Sequence, residues 1–264
     1  MSESGGLKIS LAAWSLHRAF FAREIDQLGM LEACAEMGIS AFELVNTFFP
    51  SPQYAYLRHM KRRAEEMGVE LLLIMCDAEG DLAHVDKQKR LQAARNHRKW
   101  IDVAAVLGCH CIRCNIRGDE SDPDAMQERA AEGLRLVLEY AQGTDVAVVL
   151  ENHGGLSSDP AWLRSLVERV GDPQLGTLPD FGNFPPELDR YEAVELLMPR
   201  AKAVSAKCYN FGSDGEETTI DFTRMIGIVT SAGYSGYVGI EFEGERLPER
   251  EGILAAKALL ERLI

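Results

Sequence analysis

Apolar and polar positions along this chain follow two alternating periods. Short β-branched or apolar runs begin near Lys8 (KISLAAW), Ser40 (SAFELV), Glu70 (ELLLIM), His110 (HCIRCN), Ala147 (AVVLEN), Gly176 (GTLPD), Ala203 (AVSAK) and Tyr237 (YVGIEFE). Stretches of helical spacing separate them. Leu31, Cys34 and Ala35 recur at i, i+3 and i+4, and Trp100, Ile101, Ala104, Ala105 and Leu107 do likewise with Lys99 and Asp102 on the polar side. The runs start roughly 27 to 40 residues apart, as repeated βα units do. Gly29, Gly38, Gly68, Gly108, Gly171 and Gly233 fall in the turns or helix ends, where a left-handed cap suits glycine. Asp159-Pro160 reads as a helix start, with the Asp capping and the Pro in the first turn.

Eight strands each followed by a helix, with no long low-complexity linker, predict an α/β fold: a closed (β/α)8 TIM barrel of eight parallel strands. It is read as a single domain over residues 1–264, with 1–7 a flexible lead-in. The competitor is an open doubly wound sheet, which would carry a Gly-rich phosphate loop after its first strand. The first turn here, Trp14-Ser15-Leu16-His17-Arg18, has none.

Composition narrows the function classes. The net charge of −13, with no long basic run, argues against nucleic acid and anionic membrane as partners. No run of about 18 apolar residues predicts a membrane-spanning helix. The polar first residues lack a signal-peptide core, so a cytoplasmic protein is expected. Cys109, Cys111 and Cys114 crowd one run, but it reads as a strand rather than the paired turns of a zinc site. They are taken as structural thiols. Lys87 to Lys99 reads as a solvated helix face, and Gly212 to Glu217 as a turn-rich connector after strand seven.

In such a barrel the chemistry sits where strands end. Those ends carry Trp14; Glu43 with Asn46; Asp77 with Glu79; Arg113 with Asn115; Glu151, Asn152 and His153; Asp180 with Asn183; Lys207; and Glu241 with Glu243. Glu151 closes the apolar run Val148-Val149-Leu150, Glu241 closes Val238-Gly239-Ile240, and Asp180 closes Leu175 to Pro179. Burying a lone carboxylate costs several kcal/mol, so three converging ones need a cation: a divalent metal, a lysine, or both. The bland alternative is a set of structural salt bridges at the barrel rim.

At these residues the chain resembles the xylose isomerase-like barrel superfamily of sugar isomerases, epimerases and AP endonuclease-like barrels. The resemblance rests on Val149-Leu150-Glu151-Asn152-His153-Gly154-Gly155, on Leu178-Pro179-Asp180-Phe181-Gly182-Asn183 and on Gly236-Tyr237-Val238-Gly239-Ile240-Glu241. It implies metal ligation by Glu151, Asp180 and Glu241, with Mn, Mg, Co or Zn as the ion. Ser205 stands where the family places a ligating His on strand seven, and Lys207, two residues on, could put an ammonium where the metal would lie. His153 would restore a nitrogen ligand. A hydroxyl is a poor ligand for a transition metal, and three carboxylates favour a hard ion such as Mg²⁺ or Mn²⁺. The nuclease branch is less similar: position 183 is Asn rather than His, and no Asp-x-His pair follows strand seven.

The reading that follows is an isomerase or epimerase of a small sugar, moving a proton next to a carbonyl. Glu151, Glu241 and Lys207 are its catalytic residues, and Trp14, Glu43, Arg113, Asn115, His153 and Asn183 its substrate-binding residues. Trp14, Phe48, Phe49 and Phe184 are candidates for an apolar wall against the sugar. A lyase, dehydratase or hydrolase acting on an oxidised sugar shares the first step, and a non-catalytic sugar-binding barrel is the alternative of another class. The family implies a homodimer or homotetramer.

Overall fold

A computed structural model of the protein describes residues 6–264; positions 1–5 of the predicted lead-in lie outside the described residues. The strands are β1 (Lys8–Ala12), β2 (Ala41–Val45), β3 (Glu70–Cys76), β4 (Cys111–Cys114), β5 (Ala147–Glu151), β6 (Leu175–Leu178), β7 (Val204–Cys208) and β8 (Tyr237–Phe242). All pair in parallel, in the order β6-β5-β4-β3-β2-β1-β8-β7. The ring closes between β6 and β7 without a regular ladder. Pro179 has no N–H to donate, and the seam consists of bridges Thr177–Ala201 and Asp180–Ser205. Ser205 N donates to Pro179 O at 3.0 Å, and Phe181 N donates to Ser205 O at 3.1 Å. The predicted (β/α)8 barrel is the observed architecture.

Helices α1 (His17–Phe21), α2 (Gln27–Glu36), α3 (Tyr54–Met67), α4 (Lys87–Leu107), α5 (Pro123–Ala141), α6 (Pro160–Val170), α7 (Arg190–Leu197), α8 (Phe222–Ser231) and α9 (Glu249–Leu263) follow the strands. Six of them start on an aspartate whose carboxylate accepts from first-turn amides: Asp26, Asp86, Asp122, Asp159, Asp189 and Asp221. Each such cap contributes about 1 kcal/mol. Gly68, Gly108 and Gly171 end α3, α4 and α6 in the left-handed conformation. Gly29 departs from the prediction and sits inside the first turn of α2, where an added Cβ would lie 2.8 Å from Ile25 Cγ1.

The strands are buried on both faces, as a parallel barrel between helices requires. Phe42, Leu44, Val148, Leu150, Ile240 and Phe242 have no exposed surface and pack in the core. All six cysteines are buried and unpaired. Residues of the other parity point into the barrel, which sets Arg113, Glu151, Ser205, Lys207 and Glu241 on one inner surface. The Gly212–Glu217 connector is pinned by Glu217, which accepts from the Tyr209 and Asn210 amides. Among the described residues no helix is long and apolar enough to cross a membrane.

Candidate active site

Glu151 is the last residue of β5, and Lys207 and Glu241 are the penultimate residues of β7 and β8. Asp180 lies two residues beyond β6, past Pro179. All four are at least 95% buried. Carboxylate oxygens of Glu151, Asp180 and Glu241 come within 4.8 Å of one another.

Two cations answer these three acids. Lys207 Nζ stands 3.1 Å from Glu241 Oε1, 3.5 Å from Glu243 Oε1 and 3.9 Å from Asp180 Oδ2, and donates to Asn183 Oδ1 at 3.2 Å. Arg113 Nη1 donates to Asp77 Oδ1 at 2.8 Å, where Asn115 Nδ2 also donates at 2.8 Å. Arg113 Nε lies 2.9 Å from Glu151 Oε2, close enough for charge attraction, yet its N–H is not aimed at that oxygen. Glu151 Oε2 is therefore buried without a hydrogen-bond donor, while Oε1 accepts from Asn183 Nδ2 at 2.9 Å.

Ser205 imposes a proton count. Its Oγ lies 2.8 Å from Asp180 Oδ2 and 2.9 Å from Glu241 Oε2, but a hydroxyl has one proton to give. One of the two contacts is satisfied only if a carboxyl carries a proton or the pair shares a cation. Between the two, the shifts favour the protonated form at Asp180 and the ionised form at Glu241. Burial pushes the Asp180 carboxyl up to about 7, against the attraction of Lys207 and with the help of Glu151 and Glu241. Burial likewise raises Glu151 to about 7, outweighing Arg113. Burial would raise Glu241 as well, but Lys207 holds it below the ordinary carboxylate range. Lys207 stays charged because Glu241 and Asp180 outweigh the cost of its burial.

Above these groups opens a cavity of about 710 Å³. Its polar side presents Arg113, Asn115, His153, Asn183, Lys207 and Glu241. Glu151 and Asp180 sit directly behind that wall. His153 is held neutral by burial and by Arg113 and Lys207; its Nδ1 faces Arg117 Nη2 at 3.3 Å, which leaves Nε2 to carry the proton. A cavity of about 700 Å³ at the opposite end, beside Glu70, His110 and Lys202, gathers no comparable set of charges.

Of the predicted binding residues, Trp14, Arg113, Asn115, His153 and Asn183 line the mouth cavity. Glu43 does not. It lies in mid-strand, 2% exposed, and accepts from Ser10 Oγ at 2.6 Å in space that Gly239 leaves open. Of the four aromatic candidates only Trp14 reaches the cavity. Phe48 is stacked on Trp14 from within, Phe49 packs on Trp100 and Tyr56, and Phe184 is buried. Asp77, Glu243, Arg117 and Phe21 also line the mouth. Phe21 was legible as the i+7 partner of Trp14, with His17 at i+3.

The profile of xylose isomerase-like TIM barrels matches residues 31–263. The chain belongs to this family. A curated relative, the 3'-dehydrocarminate deglycosidase alpha subunit of a Microbacterium sp., is 25% identical over 225 residues, covering 80% of this chain. The match spans only 62% of that relative's length. The solved 3-keto-D-glucoside 4-epimerase of E. coli, in its apo form, superposes with a TM-score of 0.79 at 17% identity, over 97% of this chain and 99% of that one. A D-tagatose 3-epimerase-like protein superposes at 0.78 with 18% identity, over 97% of both chains. At these identities the two structures share the barrel with this member of the family.

By ligand type the donor set fits a hard divalent ion, which would share Glu241 and Asp180 with the Lys207 ammonium. Three clustered carboxylates, an orphaned Glu151 Oε2 and the Ser205 hydroxyl offer oxygen throughout and neither nitrogen nor sulfur. That chemistry suits Mg²⁺ or Mn²⁺ above Co²⁺ or Zn²⁺.

Proposed function

We propose that the protein is a sugar isomerase or epimerase that moves a proton at the carbon beside a carbonyl. The observation that carries this reading is an ionised carboxylate and a cation, Glu241 and Lys207, set 3.1 Å apart on the cavity wall. Two further acids, Glu151 and Asp180, lie behind them. Related solved barrels include a 3-keto-D-glucoside 4-epimerase and a D-tagatose 3-epimerase-like protein, which supports the substrate class.

Glu241 is the base, because Lys207 keeps it ionised. Lys207 directs its ammonium at the carbonyl oxygen and stabilises the negative charge that develops there. Glu151, raised to about 7, exchanges a proton readily near neutral pH. Glu151 and Glu241 rise from strands three apart, with Glu241 on the cavity wall and Glu151 behind it. Arg113 and Asn115 position Asp77 at the rim, and the Nε2–H of His153 donates to a substrate hydroxyl. Glu151, Asp180 and Glu241 would hold the divalent ion, which supplies Lewis-acid polarisation of the carbonyl and its neighbouring hydroxyl.

The similarity to a deglycosidase subunit favours a second reading on the same site. There the electron pair left by proton abstraction expels a substituent one carbon further on, and the chain acts as a lyase on an oxidised sugar. Wash-in of solvent deuterium at the carbon beside the carbonyl, followed by NMR over a panel of ketohexoses and keto-glucosides, tests the step common to both. Wild type should exchange that proton, and Glu241→Gln and Glu151→Gln should each slow exchange by about 10²- to 10⁴-fold. Unchanged exchange in both variants would sink the reading. Mn²⁺ binding, followed by paramagnetic resonance, should weaken in Asp180→Asn whatever the activity.

A further inference from the structure

Arg113 stands between two acids on neighbouring strands. Its strand, β4, pairs with β3 on one side and β5 on the other, which puts Asp77, just past β3, across from Glu151 at the end of β5. The guanidinium is hydrogen-bonded to only one of them. Nη1 donates to Asp77 Oδ1 at 2.8 Å, whereas the Nε N–H, with Glu151 Oε2 only 2.9 Å away, is not aimed at that oxygen. A guanidinium beside a carboxylate gains most by directing its N–H groups onto the oxygens, so something holds this one back. The surroundings of Asp77 are built to do so. Asn46 donates to the Asp77 carbonyl and accepts from the Asp77 amide, both at 2.8 Å. Asn152 grips Asp180 in the same way, at 3.0 and 2.8 Å. The barrel thus uses one backbone clamp twice, once for an aspartate of the acid cluster and once for Asp77. Ala78 follows in a left-handed φ of 58°, a strained setting for alanine that persists where the surroundings impose it. Asn115 Nδ2 then fixes the carboxylate, donating to the same Oδ1 as Arg113.

We infer that Asp77 is a positioning residue: it holds the Arg113 guanidinium off Glu151 Oε2 and so keeps that oxygen open to a divalent ion. The inference rests on the reading of Glu151, Asp180 and Glu241 as the residues that would hold the ion. Every other carboxylate oxygen of these three acids already faces a donor, from Asn183, the Gly182 and Asn183 amides, Ser205 or Lys207. Glu151 Oε2 alone among them is buried with no hydrogen bond.

The test is Mn²⁺ affinity, read by paramagnetic resonance, in a cycle of Asp77→Ala and Arg113→Met. Asp77→Ala releases the guanidinium onto Glu151, and Mn²⁺ should bind about 10- to 100-fold more weakly, the scale on which residues that orient a ligand act. With Arg113→Met already in place there is no guanidinium to release, and Asp77→Ala should cost far less. A crystal structure of Asp77→Ala gives a readout that needs neither the ion nor the second variant: Arg113 Nε should now donate to Glu151 Oε2. A guanidinium left where wild type has it overturns the inference. So does unchanged Mn²⁺ affinity in Asp77→Ala, or an equal loss in both backgrounds, which would mean that Asp77 acts by its own charge or through the fold. Absence of Mn²⁺ binding in wild type overturns it as well. That result leaves the proton transfer standing, because solvent-deuterium exchange reports on it separately.

Discussion

Glu43 allows a stability measurement whose sign and size both follow from its place in the barrel. Among the described residues it has no oppositely charged partner, only the Ser10 hydroxyl, and burial, with Glu241 and Glu151 adding repulsion, pushes its carboxyl from an ordinary 4.5 up to about 8. The folded protein therefore keeps a proton that the unfolded chain releases above 4.5. Unfolding free energy falls with pH wherever the native state holds more protons. The stability that proton confers is fully present below 4.5, declines through the neutral range and is lost above 8. At 1.36 kcal/mol per tenfold, the decline amounts to about 1 kcal/mol at pH 5, about 3 at pH 7 and nearly 5 at pH 9. Glu43→Gln keeps the shape and an acceptor for Ser10 but cannot ionise. An imperfectly bonded amide adds a pH-independent offset of about 1–3 kcal/mol, so the slope, not the intercept, is diagnostic. Urea denaturation of both proteins at pH 5, 7 and 9, without divalent ions, should show Glu43→Gln gaining on wild type by several kcal/mol across the series. A difference constant with pH would refute the assignment of a protonated Glu43.

Lys207→Met should abolish proton exchange and cost about 3–5 kcal/mol of stability, because it strands Glu241 without its cation; activity assays and denaturation measure the two effects separately. Gly239→Ala should lower the melting temperature through an overpacking cost of about 1–3 kcal/mol, since its Cβ would press on the Glu43 carboxylate. In the Glu43→Ala background that cost should largely disappear. Ser205→Ala, read by urea denaturation, should cost about 1–3 kcal/mol, because Glu241 Oε2 and Asp180 Oδ2 lose the donor between them.

The parts of the site legible in the sequence are those that violate a burial rule. Glu151 and Glu241 end apolar runs where a carboxylate has no place unless something answers its charge, and position in the run gave their location in the barrel. Glu43 violates the same rule but carries a different meaning. Its run continues to Val45, so it sits two residues short of the strand end and one layer below the mouth. Arg117 was not legible as a site residue because a loop places it, and loop geometry has no period. Glu217 was hidden for the same reason: its carboxylate replaces strand and helix pairing with a private set of amides.

The seam of the barrel joins stability to chemistry. Between β6 and β7 the ladder is interrupted at Pro179, and the residues that bridge the gap, Asp180 and Ser205, are also members of the acid cluster. Ser205 serves the seam through its backbone N–H and carbonyl and the site through its hydroxyl. A hydroxyl is short enough to sit between Asp180 and Glu241 while the two strands stay at pairing distance. One residue of the oxygen donor set thus also belongs to the closing seam. The cation beside the acids is fixed in the same way, by the Lys207–Glu241 register of β7 on β8.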